Sequence, residues 1–237
     1  MKKNSPSRRT PKRHHKHICI DFEGEGRRRD HSVPHPSLLG ALVPNTDGHG
    51  KHFRLWVFEP ELLPLTRSPR ITGKEEHRRY CTLKEAVAEL VELARTRSCR
   101  LVAFSPHELR IIKAHLPEDS PVRNSFVERF YNILPKSRSL AERRHLECPD
   151  ITLENLLKAL SPKHKSPPPP ECGAAEACRR LRKAGAKSRR WGNWATEHQQ
   201  IARELINYNR GDCDAVWRLL NRVTAHYRIP ELLNAAE

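Results

Sequence analysis

Acidic residues are in short supply here: 28 Asp and Glu face 44 Lys and Arg, a formal charge of +16 before any of the 14 His is counted. A chain this basic calls for a polyanionic partner, and nucleic acid comes before membrane, because a lipid surface would also require an apolar-faced helix or a lipid anchor. Long hydrophobic runs are missing too. Nothing approaches the roughly 20 apolar residues that span a bilayer, and no apolar stretch behind the basic N-terminus would serve as an export signal. The seven Cys are odd in number and have no framework spacing, which fits reduced thiols better than disulfides. These absences predict a soluble cytoplasmic protein without a membrane partner. Cys148, His164, Cys172 and Cys178 lack the Cys-x-x-Cys or His spacing of a zinc site. There is no Gly-rich phosphate loop, which argues against ATP use.

What is present divides the chain in two. Residues 1–17, "MKKNSPSRRTPKRHHKH", hold seven Lys or Arg and no acid or large aliphatic residue. Such a segment cannot offset its own ordering entropy, so a disordered basic tail is expected. It reads either as a phosphate-binding arm or as a solubilising extension. Residues 18–237 are long enough for one domain with one substantial core.

Within that domain, strand signals occur at 18–23, 38–43 and 53–58, separated by turn-forming residues, which predicts an antiparallel meander. Residues 83–95 carry Leu83, Val87, Leu90, Val91 and Ala94 at helical spacing behind a Thr82 cap. "RLVAF" (100–104) reads as a buried strand, and 105–116 as a helix capped by Ser105 with Pro106 at its first position. Further helices are predicted at 123–134, 152–160, 174–184, 195–207 and 210–227, with a polyproline or loop segment at 161–171. The expected fold class is α/β: a mixed sheet, antiparallel meander plus parallel strands, flanked by helices.

Against this basic background the stretch "ICIDFEGEG" is anomalous. Asp21 and Glu23 stand two apart in a strand and therefore point to the same face, where they repel. A cation is the simplest third party. Glu108 follows in the first turn of the helix after "RLVAF", where an acid is also explained by the helix dipole. In "INYNRGDCDAVWRLL" (206–220), Tyr208 and Asp212 share a helix face. Asp212 there reads as a ligand or as a cap or first-turn acid, with Asp214 its competitor. Glu25 and Asp150 are further candidates, Asp150 with a capping alternative of its own. Pro149-Asp150 begins another nuclease signature, but the following "ITLENLLK" lacks the Glu-x-Lys that would complete it.

Taken in order, these acids resemble the motifs of the DEDD (DnaQ-like) exonucleases of the ribonuclease H-like superfamily, in the variant with Tyr in the third motif. The likeness is greatest to YprB-like and RecB-associated nuclease domains, through "IDFEGEG", "FSPHELRII", "DITLENLLKAL" and "NYNRGDCDAVWRLL". It covers about residues 18 to 225, with little match at 120–150 and 161–195. The resemblance implies a ribonuclease H-like fold and a 3′–5′ exonuclease-like hydrolase of DNA or RNA phosphodiester bonds. It assigns Asp21, Glu23, Glu108 and Asp212 to two Mg²⁺ or Mn²⁺ ions, and Tyr208 to the attacking water. Carboxylates crowded into one pocket need compensating charge, and hard divalent cations take oxygen ligands. A non-catalytic nucleic-acid-binding module on the same fold, or a nuclease subunit of a mobile-element or defence system, are the alternatives.

One more stretch, "CRRLRKAGAKSRRWGNW" (178–194), holds seven basic residues and two Trp. It reads as a phosphate-tracking face with stacking aromatics, or as a solvated helix face with Trp anchored in the core.

Overall fold

The computed structural model describes residues 17–26, 30, 32–46, 50–69, 76–148, 150–164, 166–227, 229 and 232. Of the basic tail expected over 1–17, all but His17 lies outside them. His17 opens the first strand, β1 (His17–Gly24). Alternation there sends Ile18, Ile20 and Phe22 into one core cluster and Cys19 into another on the opposite face, the face that Asp21 and Glu23 share.

The meander forms as its pattern predicts: β1 pairs antiparallel with β2 (Pro36–Pro44), and β2 with β3 (Lys51–Val57). Three strands then add in parallel. β5 (Arg100–Ala103) lies beside β1, β6 (Phe130–Asn132) beside β5, and β4 (Glu76–Tyr80) beside β3 at the other edge. The resulting order is β4-β3-β2-β1-β5-β6, a six-stranded mixed sheet flanked by helices and consistent with a ribonuclease H-like fold.

On one face lie α1 (Leu83–Thr96), α2 (His107–His115) and α3 (Pro121–Arg129), over Ile18, Ile20, Leu39 and Trp56. Thr82 begins α1 with a full capping box: its hydroxyl accepts from the Glu85 amide, and Glu85 accepts from the Thr82 amide. The other face carries α4 (Leu134–Arg143), α5 (Leu153–Leu160), α6 (Ala174–Lys187) and α7 (Thr196–His226). Its apolar contacts split into two clusters. α6 and the first half of α7 cover Leu38, Phe53 and Leu55, while α4, α5 and the second half of α7 cover Cys19 and Val102. No helix among the described residues is long and apolar enough to cross a membrane.

Three expectations need correction. The helix predicted over 123–134 is interrupted, because Phe130–Asn132 extends to pair with β5 as an edge strand and α4 starts only at Leu134. Ser105 and Pro106 act one residue out of the predicted register. Pro106 is the flanking residue of α2, and the Ser105 hydroxyl accepts from the His107 amide. Finally, 195–207 and 210–227 are one continuous helix of 31 residues. "NYNRGD" has the composition of a turn, but Ile206, Asn209 and Cys213 are buried against the sheet side and Gly211 beneath Pro167, and packing outweighs propensity.

Gly211 has its own reason for being there. A Cβ at this position would lie 2.4 Å from Cδ and 2.9 Å from Cγ of Pro167, in the proline segment that crosses the helix. Ala would gain about 1 kcal/mol of helix propensity, whereas overpacking against a rigid ring costs about 1–3 kcal/mol. Gly211→Ala is therefore expected to lower the thermal midpoint by a few degrees, and a rise in a melting scan would refute the close approach.

Candidate functional site

The sheet brings the acids together at one end. β1 and β5 run parallel, so the chain leaving β5 into α2 emerges beside the C-terminal end of β1, where Asp21 and Glu23 sit. The ladder to β2 is irregular between Glu23 and Gly24, so regular pairing ends just past these acids. α7 crosses the same end and lowers Asp212 onto them. Asp21, Glu23 and Asp212 each offer an oxygen, and these three atoms all lie within 4.8 Å of one another. All three side chains are half-buried.

Glu108 completes the surroundings without joining that tight group. It lies in the first turn of α2, is 4% exposed, and its Oε2 is buried without a hydrogen-bond partner. Its charge nonetheless reaches Asp21 and Glu23 and pushes both upward.

Every carboxyl in the site is harder to ionise than usual. Burial, then Glu23, Asp212 and Glu108, hold Asp21 well above the ordinary carboxylate range, against the opposing hydrogen bond from Asn209. Burial and the Asp212 charge raise Glu23 to about 8. Burial raises Glu108 to about 7. Asp212 rises to about 6 through burial, although the Tyr208 hydroxyl donates to it across one turn of α7. Tyr208 is itself pushed up, by burial first and then by the Asp212 and Glu23 charges, so it stays a neutral phenol.

Such a set fits a hard divalent cation. It offers only oxygen donors, it is short of positive charge, and it leaves one buried carboxylate oxygen unpaired.

Two of the competing acids, Asp214 and Glu25, are committed elsewhere. Asp214 pairs with Lys51 and with Arg218, which hold its pKa below the usual value. The Lys51 ammonium also lies 3.5 Å above the Trp217 ring. Glu25 pairs with Arg182, which reaches Glu59 as well. Asp150 is exposed and does not cap α5: Thr152 does, its hydroxyl accepting from the Asn155 amide, while the Asp150 backbone carbonyl accepts from the Thr152 amide and the Asn155 side chain. A capping or first-turn role for Asp212 is ruled out by its place deep inside α7, far from either end.

Two residues near the site went unnoticed in the sequence. Asn209, fully buried, donates from Nδ2 to the Asp21 carbonyl at 3.1 Å and to Asp21 Oδ2 at 2.7 Å. Its position in "NYN", three residues from Asp212 on the same helix face, was the available signal. Glu154, exposed in the first turn of α5, adds its negative charge to the surroundings of Asp212. No sequence pattern ties it to that neighbour.

Further ion pairs fix how α7 lies on the sheet. Arg210 donates to Oε1 of the buried Glu76 on β4, and Arg78 donates to its Oε2. With Asp214 on Lys51 of β3, α7 is thus tied to two strands on either side of the turn that carries Asp212. Of the basic stretch 178–194, Arg179 and Arg180 pair with Glu176. Trp194 is buried, and Trp191 packs beside it at a centroid distance of 5.7 Å.

The chain matches none of the protein-family models and none of the curated proteins with which it was compared.

Proposed function

We propose that this protein is a metal-dependent nuclease that hydrolyses phosphodiester bonds in DNA or RNA, acting in the manner of a 3′–5′ exonuclease with Mg²⁺ or Mn²⁺. One observation carries the reading: oxygens of Asp21, Glu23 and Asp212 within 4.8 Å of one another, at the strand end that also receives the buried, unpaired oxygen of Glu108. Asp21, Glu23, Glu108 and Asp212 would hold two ions. When bound, such ions lower the pKa of a water and neutralise charge on the leaving oxygen. Tyr208, a neutral phenol fixed on Asp212, offers its hydroxyl oxygen to position a water beside the acids. The basic charge of the chain supplies attraction for the polyphosphate substrate.

The direct test is incubation with end-labelled single- and double-stranded DNA and RNA, with Mn²⁺, with Mg²⁺ and with EDTA. Metal-dependent loss of terminal nucleotides supports the proposal. Salt-sensitive binding with intact substrate under every condition would leave only a binding module.

Affinity for nucleic acid is expected to fall steeply with salt, because each neutralised phosphate releases counterions. Removing residues 1–16, with their seven Lys and Arg, should flatten the plot of log affinity against log salt while cleavage persists. Fluorescence anisotropy across a salt series measures the slope, and an unchanged slope would show the segment to be inert in binding.

A further inference from the structure

We infer that Asn209 is a positioning residue that sets the Asp21 carboxylate, and that Gly40 exists to admit it. The inference rests on the proposed metal site and adds to it a residue outside the acidic set. Asn209 grips β1 at two points of a single residue. Its amide nitrogen donates both to the Asp21 backbone carbonyl and to the carboxylate Oδ2. The first contact fixes the distance between helix and strand. The second fixes the rotation of the Asp21 carboxylate by occupying one lone pair of Oδ2 from the helix side. Because Asn209 and Asp212 are one turn apart on α7, the same grip sets how closely Asp212 approaches Asp21.

The seat for Asn209 is built into the neighbouring strand. Gly40 is the residue directly opposite Asp21 in the β1–β2 ladder. A Cβ there would lie 1.8 Å from Asn209 Oδ1 and 2.8 Å from Cγ, so any larger residue would evict the side chain. Glycine in the interior of a strand is unfavourable and marks a close approach. Asn209 is also an expensive choice for packing, since its Oδ1 is buried without a partner. An apolar residue of similar size would remove that unsatisfied atom. The amide is explained by what its nitrogen does for Asp21.

A purely structural Asn209 and a positioning Asn209 predict opposite pairs of results. Mn²⁺ binding by isothermal titration calorimetry and the melting midpoint in EDTA should be measured together on the parent, Asn209→Leu and Gly40→Ala. Positioning predicts Mn²⁺ affinity lower by about 10- to 100-fold in both variants, the range found when groups that orient metal ligands are removed. For Asn209→Leu it also predicts a melting midpoint within a few degrees of the parent. Affinity within twofold of the parent in either folded variant overturns the inference. If Asn209→Leu does not fold, Asn209→Ser, whose hydroxyl ends one bond short of the amide nitrogen, is held to the same thresholds. A parent protein that binds no Mn²⁺ overturns the proposed metal site, and this inference falls with it. A parent that binds while both variants bind equally well overturns the positioning role alone.

Discussion

Asp212→Asn is expected to abolish metal-dependent cleavage, with a loss of several orders of magnitude, while the metal-free protein melts at the parent temperature or slightly above it. The substitution keeps shape and polarity at a half-buried helix position but removes one of three negative oxygens confined within 4.8 Å. Without a cation those charges repel, so losing one relieves the fold. With a cation, the same loss removes a ligand. Since Asp212 lies within α7 rather than at its start, no capping contribution complicates the comparison. Tyr208→Phe should be milder, because it deletes a hydroxyl and leaves all four carboxylates in place. Cleavage and melting are to be measured on one preparation of each variant. Retained cleavage in Asp212→Asn would remove this residue from the mechanism.

Stability of the metal-free protein is expected to fall as pH rises from about 4.5 to about 8. The sign follows from proton linkage. Glu23, Glu108 and Asp212 are pushed up to about 8, 7 and 6, all above their ordinary values of 4.5, 4.5 and 3.8, and Asp21 is held well above its ordinary value too. Between the ordinary and raised values the native state holds more protons than the unfolded one, so each step upward in pH favours unfolding. Below about pH 4 the carboxyls are protonated in both states and the penalty disappears. The shifts are spread over coupled groups, and together they should lower the melting midpoint progressively across this range. Saturating Mg²⁺ or Mn²⁺ binds the ionised native form and should flatten the dependence near pH 8. An Asp21→Asn, Glu23→Gln double variant isolates these carboxyls from the titrating His. If its slope in EDTA matches the parent's, the acids are not strained against one another.

How far the sequence foretold this arrangement depended on whether a signal was local. The β1–β3 meander was legible because strand alternation and turn residues are short-range features. The shared face of Asp21 and Glu23 followed from the period of two, and the Tyr208–Asp212 pair from the helical repeat. β4 could not be read in the same way. "EHRRY" has no apolar alternation, and it becomes a strand through parallel pairing with β3 and the burial of Glu76 between Arg78 and Arg210, one of them 134 residues away. β6 is three residues long, too short to show an alternation of its own behind the preceding helix, and its parallel pairing with β5 makes it extended. The unity of α7 was hidden by "NYNRGD", whose turn-like residues have tertiary uses. Asn209 holds Asp21, Arg210 holds Glu76, and Gly211 clears Pro167.

The threading of α7 back over β1 also sets an order of events in synthesis. Asp21 and Glu23 leave the ribosome about 190 residues ahead of Asp212, an interval of roughly 10–40 s at ordinary elongation rates. During that time a growing chain has the acids of β1 and, later, Glu108, but neither Tyr208 nor Asn209 to orient them. Closure of the site then waits on long-range docking of a late helix, a slow class of folding event. Under the proposed function, a nascent chain would gather nucleic acid before it could cut any, and competence would arrive in one step with the seating of α7.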